Sequence, residues 1–298
     1  MTPLDGAVTR WIEDAVGRHS RVVSVEPTPP SSTAKDAIDV MDGHGREHRL
    51  VLRRYHDRDR LGTDPWYDPA NEARVLRLLV ETQVRAPRLY AADLDAVVCD
   101  VPALLEERIP GRSHWTPPDG DLETFLRGLA RPLPAIHAVK LSGAELLSYD
   151  PYEDPSQIRT PEWSSDPALW ERVAALVAGP RPGGPSRFIH RDYHQGNVLW
   201  ANGRLTGVVD WATGCAGPPG IDLARLRLNL ASEISPEAAE RFLELYPEEG
   251  GSLDEHHPYW DLLDAADGIW EWDPPADAGE AASWSRFEDY IGRVAALL

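Results

Sequence analysis

Cysteine is scarce in this sequence of 298 residues, which contains only Cys99 and Cys215. Two cysteines are too few for a disulfide framework, and neither occurs in the paired spacing of a metal site. Apolar runs of membrane-spanning length are also missing. The N-terminal stretch carries acidic residues where a signal peptide has a basic region and an apolar core. We therefore expect a soluble cytoplasmic protein with no membrane partner.

Positive charge is the second deficit, because 30 basic residues against 49 acidic ones give a net charge of −19. Nucleic-acid phosphates are bound by clustered Lys and Arg, so the balance argues against a nucleic-acid partner. The segment 251–298 has 11 acidic residues and two basic ones, so it carries −9. Such a field can attract a cationic ligand. A solvated acidic face has the same composition.

Short β-type runs dominate the first part of the chain. Three of them follow an amphipathic helix predicted over residues 3–17, and they span 21–26, 36–42 and 48–55. A helix predicted over 71–83 comes next, and two further strand candidates end near Glu107. This order predicts a small antiparallel sheet with one helix inserted after its third strand.

Helical patterns dominate from Gly111 onward. One of them begins with Asp166 as a predicted N-cap, has Pro167 at its first position and stops at Gly179. Among the helices lie two short β runs, NVLW and LTGVVDW, joined by the turn ANGR. We predict an α+β protein with a β-rich first domain, 1–107, and a mainly helical second domain, 108–298.

The stretch FIHRDYHQGNVLW concentrates ionisable residues between two apolar ends. His190, Arg191, Asp192 and Asn197 match the phosphoryl-transfer loop H-R-D-x-x-x-x-N. In that chemistry a carboxylate accepts the proton of an attacking hydroxyl, and a neutral amide oxygen holds Mg²⁺ without adding negative charge. Asp210, 13 residues after Asn197, is the candidate for the metal-binding carboxylate. We expect a β-hairpin to bring it beside Asn197.

The segments HRDYHQGNVLW and GVVDWATGCAGPPGIDLARLR resemble the aminoglycoside phosphotransferase family, whose members have a protein-kinase-like fold. The resemblance covers nearly the whole chain in element order and is most specific from Phe188 to Arg227. It implies a two-lobed fold, with a nucleotide-binding N-terminal lobe and a C-terminal catalytic and acceptor-binding lobe. It also implies Mg²⁺-dependent transfer of the γ-phosphoryl group of ATP or GTP to a small-molecule hydroxyl. Within GIDLA it makes Asp222 a buried carboxylate that supports the catalytic loop.

The resemblance assigns roles to the residues of the motif. It makes Asp192 the catalytic base and His190 a residue that supports the loop, and we place His190 and Arg191 with Asp192 in the catalytic set. It assigns Mg²⁺ binding to Asn197 and Asp210.

The nucleotide is expected in the N-terminal lobe. By resemblance, Arg53 occupies the third-strand position of the cation that pairs with the phosphates, and Glu72 occupies the helix position that supports it. Arginine stands where kinases have lysine, and its guanidinium donates hydrogen bonds well to phosphate. The segment ALLEERIPG resembles the hinge, where the backbone of Glu107 and Ile109 would bind the edge of the nucleobase.

The loop PTPPSSTAK departs from the family pattern because it contains no glycine. Phosphate-covering loops use glycine to let backbone N–H groups approach the phosphates. Here the hydroxyl and backbone groups of Ser31, Ser32 and Thr33 are the candidates instead. A milder departure is Gln195, which stands where the family commonly has proline.

The acceptor is expected at the late helices. Their acidic candidates have roughly helical spacing and lie beside tryptophans in the sequence; the acceptor candidates are Asp261, Asp264, Asp267, Trp270 and Glu271. An acidic rim suits a cationic aminoglycoside, whereas tryptophans suit a macrolide through apolar and cation–π contacts.

Other interpretations stay open at this stage. The acceptor can be an aminoglycoside-like or other cationic antibiotic, a macrolide or a metabolite alcohol. The missing glycines and the Arg at the Lys position are also compatible with a catalytically silent, pseudokinase-like nucleotide-binding module. The alternating His190, Asp192 and His194 could bind Zn²⁺ if they shared one face of a strand. We expect no obligate protein partner.

Overall fold

The computed structural model describes residues 4–28, 33–141, 143, 145–267 and 273–298. The chain forms two compact units. The first comprises the chain up to Gly111 together with Leu199–Asn202 and Thr206–Gly214, and the second comprises Arg112–Val198, Gly203–Leu205 and Cys215–Leu298. The predicted domains, 1–107 and 108–298, differ from these units because they place Leu199–Asn202 and Thr206–Gly214 in the second domain. The predicted domain boundary stays a prediction.

The strands are β1 (Arg21–Pro27), β2 (Ala34–Met41), β3 (Glu47–Arg54), β4 (Leu89–Asp93), β5 (Ala103–Glu107), β6 (Arg187–Ile189), β7 (Val198–Ala201), β8 (Arg204–Val208) and β9 (Cys215–Gly217). The α-helices are α1 (Gly6–Val16), α2 (Pro69–Leu79), α3 (Leu122–Ala130), α4 (Pro132–His137), α5 (Pro167–Val177), α6 (Gly220–Glu233), α7 (Pro236–Leu245), α8 (Pro258–Ala266) and α9 (Ala278–Ala295). A short 3₁₀-helix, Gln195–Asn197, directly precedes β7.

The first unit is built on a five-stranded sheet with the order β1-β2-β3-β5-β4, in which neighbouring strands are antiparallel. One face packs against α1 through alternating apolar residues, which include Ile38, Val40, Leu50, Leu52 and Leu105. Because side chains alternate along a strand, the opposite face carries Lys35, Arg53 and Glu106. The predicted antiparallel sheet with a helix after its third strand is confirmed.

Helix α2 begins at a proline and is capped by the residue before it. The Asp68 carboxylate accepts a hydrogen bond from the Ala70 N–H at 2.8 Å, which satisfies a free donor of the first turn. The helix therefore starts two residues before the predicted Asn71. The Asn71 side chain donates to the carbonyls of Ala212 at 2.8 Å and Gly214 at 3.1 Å. These bonds fix α2 to the chain that follows β8.

The second unit is mainly helical, as predicted, and α6 lies against α7, α8 and α9. Large buried aromatic side chains fill its core, among them Trp170, Phe242, Tyr246 and Tyr290. The N-cap predicted at Asp166 is confirmed, since its carboxylate accepts from the Leu169 N–H at 3.1 Å. Within the described ranges, no helix has both the length and the apolar character needed to cross a membrane.

Candidate active site

Arg53 lies on β3 and connects two acidic side chains of the first unit. Its Nη1 donates to Glu72 Oε1 at 2.7 Å, and its Nη2 donates to Asp210 Oδ1 at 2.7 Å. Burial lowers the pKa of Arg53, but the charges of Asp210 and Glu72 raise it by more, so that the pKa lies well above its ordinary value. The Tyr55 hydroxyl donates to the other oxygen of Glu72. The structure thus pairs the two residues that the sequence assigned to the nucleotide.

Asp210 follows β8 with a backbone φ of 67°, a left-handed conformation that aspartate tolerates better than most residues. Besides Arg53, it has Lys35 as a second cationic neighbour, with Lys35 Nζ 3.6 Å from its Oδ2. Sequence reasoning missed Lys35. The signal that could have found it is strand register, because Lys35 lies directly opposite Arg53 on the neighbouring strand.

Glu106 is a second residue that sequence reasoning missed. It lies on β5 on the same sheet face as Arg53 and is nearly fully buried. Among the described residues, its Oε1 has no hydrogen-bond partner. Burial raises the pKa of Glu106 to about 8, and the nearby negative charge of Glu72 adds to the effect. Glu106 therefore carries a proton at neutral pH.

The other residues predicted to bind the nucleotide lie in the loop before β2 and in the segment around the end of β5. Ser31 and Ser32 lie outside the described residues, whereas Thr33 is buried. The Glu107 side chain is held by Arg85, with Arg85 Nη1 2.9 Å from Oε2, and its backbone N–H donates to the Arg88 carbonyl. Ile109 is buried. Nucleobase binding by the backbone of Glu107 and Ile109 stays a prediction.

The catalytic-loop motif of the second unit is anchored by Asp222, on α6. This fully buried carboxylate accepts from the backbone N–H groups of His190 at 3.0 Å and Arg191 at 2.7 Å. His137 Nε2 lies 3.1 Å from the same carboxylate. Burial lowers the pKa of His137, but its hydrogen bonds with Asp222 and Glu255 raise it by more, so the pKa lies above its ordinary value. These hydrogen bonds connect α6 to the start of the loop, and the supporting role of Asp222 stays a prediction.

His190 and Arg191 are buried beside Asp192, and their contacts position the loop. Arg191 has a backbone φ of 70°, and its Nη2 donates to the Asp150 carbonyl at 2.6 Å. Its guanidinium lies 3.9 Å from the centre of the Tyr152 ring. His190 packs edge-on against Tyr193. Both side chains are therefore packed within the second unit, and a catalytic role for His190 and Arg191 stays a prediction.

Asp192 and Asn197 are in direct contact at the centre of the loop. The Asn197 Nδ2 donates to the Asp192 carbonyl at 2.9 Å and to its Oδ2 at 3.2 Å. The amide nitrogen is thereby committed to Asp192, and the amide oxygen is the atom of Asn197 that can bind a metal ion. Partial burial raises the pKa of Asp192, but the hydrogen bond and charge of His194, with the charge of Arg225, lower it by more. Asp192 is therefore a carboxylate at neutral pH.

His194 supports this contact, although sequence reasoning considered it only for Zn²⁺. Its Nδ1 accepts from the Gly196 N–H at 3.0 Å, and its Nε2 lies 3.6 Å from Asp192 Oδ2 and 3.2 Å from Asn197 Nδ2. The ring stacks on Trp115 with centroids 5.2 Å apart. A Cβ at Gly196 would lie 2.7 Å from His194 Cε1 and 2.8 Å from Trp115 Cζ2. Only glycine fits this position without displacing the stack.

The acidic acceptor candidates are engaged within the protein. Asp261 is fully buried and accepts from Arg227 at 2.6 Å and from the Tyr290 hydroxyl at 2.8 Å. Asp264 is buried and pairs with Arg225 at 2.9 Å. Asp267 accepts from the backbone N–H groups of residues 152 and 153 at 3.0 and 2.9 Å. Trp270 and Glu271 lie outside the described residues. Acceptor binding stays a prediction for all five, and burial argues against a direct contact by Asp261.

The donor types suit Mg²⁺, which prefers carboxylate and carbonyl oxygens. Asn197 offers an amide oxygen in the second unit, and Asp210 offers a carboxylate in the first unit. That Asp210 lies beside Asn197 stays a prediction. Within the described ranges, no group of three or more His, Cys, Asp and Glu side chains could hold a metal ion, which gives the Zn²⁺ interpretation no support.

Known proteins resemble this chain in sequence and fold. The model of the phosphotransferase enzyme family matches residues 28–259. A provisionally assigned aminoglycoside phosphotransferase from Ralstonia eutropha JMP134 superposes with a TM-score of 0.65 at 15% identity, covering 98% of both chains. No curated protein matches the sequence.

Two kinds of antibiotic phosphotransferase are among the similar structures. A thermostable mutant of aminoglycoside phosphotransferase APH(4)-Ia, in a ternary complex with ADP and hygromycin B, has a TM-score of 0.62 at 16% identity, covering 97% of this chain and 98% of that one. Macrolide 2′-phosphotransferase MphH from Brachybacterium faecium has a TM-score of 0.55 at 20% identity, covering 97% of both chains. At these identities the similarity shows the fold, which is the predicted protein-kinase-like α+β fold.

Proposed function

Because this chain belongs to the phosphotransferase enzyme family, we propose that it transfers the γ-phosphoryl group of ATP or GTP to a hydroxyl group of a small molecule. The observation that carries the proposal is the contact between Asp192 and Asn197 on a loop held by Asp222. It presents an ionised carboxylate and an amide oxygen from one short, fixed segment.

The proposed mechanism assigns proton transfer to Asp192. Its carboxylate accepts the proton of the acceptor hydroxyl as the oxygen attacks the γ-phosphorus. The His194 ring and the Asn197 amide hold the carboxylate in place. Mg²⁺, when bound by Asn197 and Asp210, would neutralise charge on the phosphate oxygens. Arg53 would bind the phosphates, and Glu72 holds its guanidinium in position. Positioning and electrostatics therefore supply most of the rate.

The proposed acceptor is a cationic antibiotic of the aminoglycoside type, and a macrolide or a metabolite alcohol is the alternative. Support comes from the net charge of −19 and from the two kinds of antibiotic phosphotransferase with the same fold. Phosphorylation of an antibiotic would confer resistance. The donor nucleotides are cytoplasmic, which supports the cytoplasm as the proposed location.

The first experiment measures release of nucleoside diphosphate from ATP and GTP with Mg²⁺ across aminoglycosides, macrolides, other basic antibiotics and metabolite alcohols. We expect one acceptor class to stimulate release. Asp192→Ala should lower turnover by about 10²–10⁴-fold, the typical contribution of a general base, with nucleotide affinity nearly unchanged. Asp210→Ala should weaken Mg²⁺-dependent nucleotide binding.

The negative outcomes separate the alternatives. Intact Mg²⁺–nucleotide binding without turnover on any acceptor would favour the pseudokinase-like module. Normal turnover in Asp192→Ala would remove the base assignment, and an unchanged Mg²⁺ titration in Asp210→Ala would remove its metal role. No nucleotide binding at all would contradict the proposed function.

A further inference from the structure

Lys35 and Arg53 form a pair of cations on the face of the first-unit sheet opposite α1. The two residues are direct cross-strand neighbours in the β2–β3 register, and both approach the carboxylate of Asp210. Arg53 Nη2 lies 2.7 Å from Oδ1, and Lys35 Nζ lies 3.6 Å from Oδ2. One carboxylate is thus flanked by a guanidinium and an ammonium group.

The two cations differ in their other contacts and in exposure. Arg53 is also held by Glu72 and its side chain is only 5% exposed, whereas the Lys35 side chain is 26% exposed. In the described part of the chain, Lys35 forms an ion pair with Asp210, at 3.6 Å. Lys35 can therefore turn toward a ligand at this face, while Arg53 is fixed in place by Glu72.

The loop that precedes Lys35 lacks the glycines that commonly bind phosphate. In PTPPSSTAK no glycine is available to bring backbone N–H groups close to phosphates. A lysine ammonium supplies three charged donors from a flexible stem and binds phosphate as a point charge. Lys35 thus offers by side chain the positive potential that a glycine-rich loop offers by backbone.

We propose that Lys35 is a second phosphate-binding residue, which acts with Arg53 on the phosphates of a nucleoside triphosphate. On binding, phosphate oxygens replace Asp210 as partners of the two cations, and the Asp210 carboxylate becomes available for the metal ion. The exchange replaces one anionic partner with another, so neither cation loses its counter-charge. This inference rests on the proposed function, and it explains how a loop without glycine can serve a nucleotide.

The chain offers an unusually clean test, because Lys35 and Lys140 are its only lysines. Lys140 is an exposed residue of the second unit and serves as an internal control. The probes are ATP and GTP that carry an acyl group on the terminal phosphate, used with Mg²⁺. An amine within reach of the phosphates attacks the acyl carbonyl, so that an amide forms and the nucleoside triphosphate leaves. Peptide mass spectrometry then measures acylation of each lysine.

We expect acylation at Lys35 far in excess of Lys140, and suppression of the Lys35 product by an excess of unmodified ATP or GTP. A general amine-acetylating reagent should modify both lysines, and Mg²⁺–nucleotide should protect Lys35 alone. Equal acylation of both lysines by the probes would overturn the proposal. So would unprotected Lys35 in the presence of a nucleotide whose binding is measured independently.

Variants supply a second readout by calorimetry. Lys35→Met should weaken binding of the Mg²⁺–triphosphate by about tenfold or more, because a charge-assisted hydrogen bond is lost. It should leave binding of the unphosphorylated nucleoside unchanged, and Lys35→Arg should restore part of the triphosphate affinity. Lys140→Met is the matched control and should behave like the parent protein.

The outcomes distinguish this inference from the proposed function. Parent-like triphosphate affinity in Lys35→Met overturns the role of Lys35 while leaving the phosphotransferase proposal intact. Absence of nucleotide binding in the parent protein overturns both. A loss that is equal for nucleoside and triphosphate would mean that the substitution damages the fold, and it would also contradict a phosphate-specific role.

Discussion

At the scale of single residues, the environment moves carboxyl groups of similar intrinsic acidity in opposite directions. Burial beside Glu72 raises the pKa of Glu106 to about 8. At Asp192, partial burial has the same raising effect, but His194 and Arg225 outweigh it and lower the pKa. One group is therefore a neutral acid and the other an ionised base at the same pH. Perturbed pKa values of this kind mark each group as a functional candidate within its own unit.

Glu106 predicts a specific pH dependence of stability. An unfolded glutamate ionises near pH 4.3, whereas folded Glu106 holds its proton to about pH 8. Between these values the folded state binds more protons, so its stability falls as pH rises and then levels off. Glu106→Gln removes this titration. The variant should lose less free energy of unfolding between pH 5 and 8, by at most about 1.4 kcal/mol per pH unit.

Urea unfolding at several pH values measures this slope. The groups that face Glu106 are Glu72, Arg53, Asp210 and Lys35, and the raised pKa of Glu72 leaves a residual slope of the same sign in the variant. The neighbouring Glu107→Gln is the matched control, because Arg85 lowers the pKa of Glu107 and its titration falls below this window. Parallel pH profiles for the parent protein and Glu106→Gln would contradict a protonated Glu106.

At the scale of elements, the loop between β6 and β7 is fixed at both ends. Asp222 on α6 holds its start, and the 3₁₀-helix Gln195–Asn197 holds its end. A strained backbone at Arg191 lies between them. Positive φ at a non-glycine residue persists only where surrounding contacts determine it. These contacts therefore hold the loop at both ends, which suits the proposed role of Asp192 as a base.

Gly196 tests whether the position of this loop matters. In Gly196→Ala the new methyl group must displace His194 or Trp115, since both would lie within 2.8 Å of it. We expect turnover to fall by about tenfold or more, because small misplacement of a base is costly. The thermal unfolding midpoint should fall by only a few degrees. Steady-state kinetics and thermal unfolding provide the two measurements.

Gly6→Ala is the control for this substitution, because its added Cβ meets no atom within 4 Å and its φ is ordinary. It should leave both measurements unchanged or raise stability slightly. Turnover of Gly196→Ala equal to that of the parent would show that His194 does not need this position to support Asp192.

At the scale of the whole molecule, the net charge of −19 dominates the electrostatics. Many arginines are used in local pairs with acidic neighbours, as Arg127, Arg241 and Arg293 show. These short contacts leave a large excess of negative charge that repels itself over longer distances. The compact state therefore carries a net repulsive energy at low ionic strength.

Salt should relieve this repulsion more than it weakens the short ion pairs, because screening acts mainly beyond the Debye length of about 10 Å at 0.1 M. We expect the thermal unfolding midpoint to rise by a few degrees from about 0.02 M to about 0.3 M NaCl. Differential scanning calorimetry at neutral pH measures it, and tetramethylammonium chloride in place of NaCl controls for a specific cation. A midpoint that falls with salt would mean that the surface ion pairs dominate.

The sequence by itself determined the fold class and the order of its elements. The β-type runs of β2 and β3, the cap at Asp166, and the spacing within HRDYHQGN are local patterns, and local patterns are set by backbone geometry. The support that Asp222 gives to the loop was implied by the resemblance to the aminoglycoside phosphotransferase family. These features need no knowledge of distant neighbours.

Only the tertiary structure decided which charges meet. Lys35 is a candidate phosphate ligand because it lies opposite Arg53 on the neighbouring strand. Glu106 has a high pKa because it is buried beside Glu72. Asp261 stands in an acidic stretch of sequence, yet Arg227 and Tyr290 take up its charge inside the second unit. Burial and long-range pairing fix the protonation and the partners of a side chain. Both depend on residues far away in the chain, so the pattern of a short segment does not contain them.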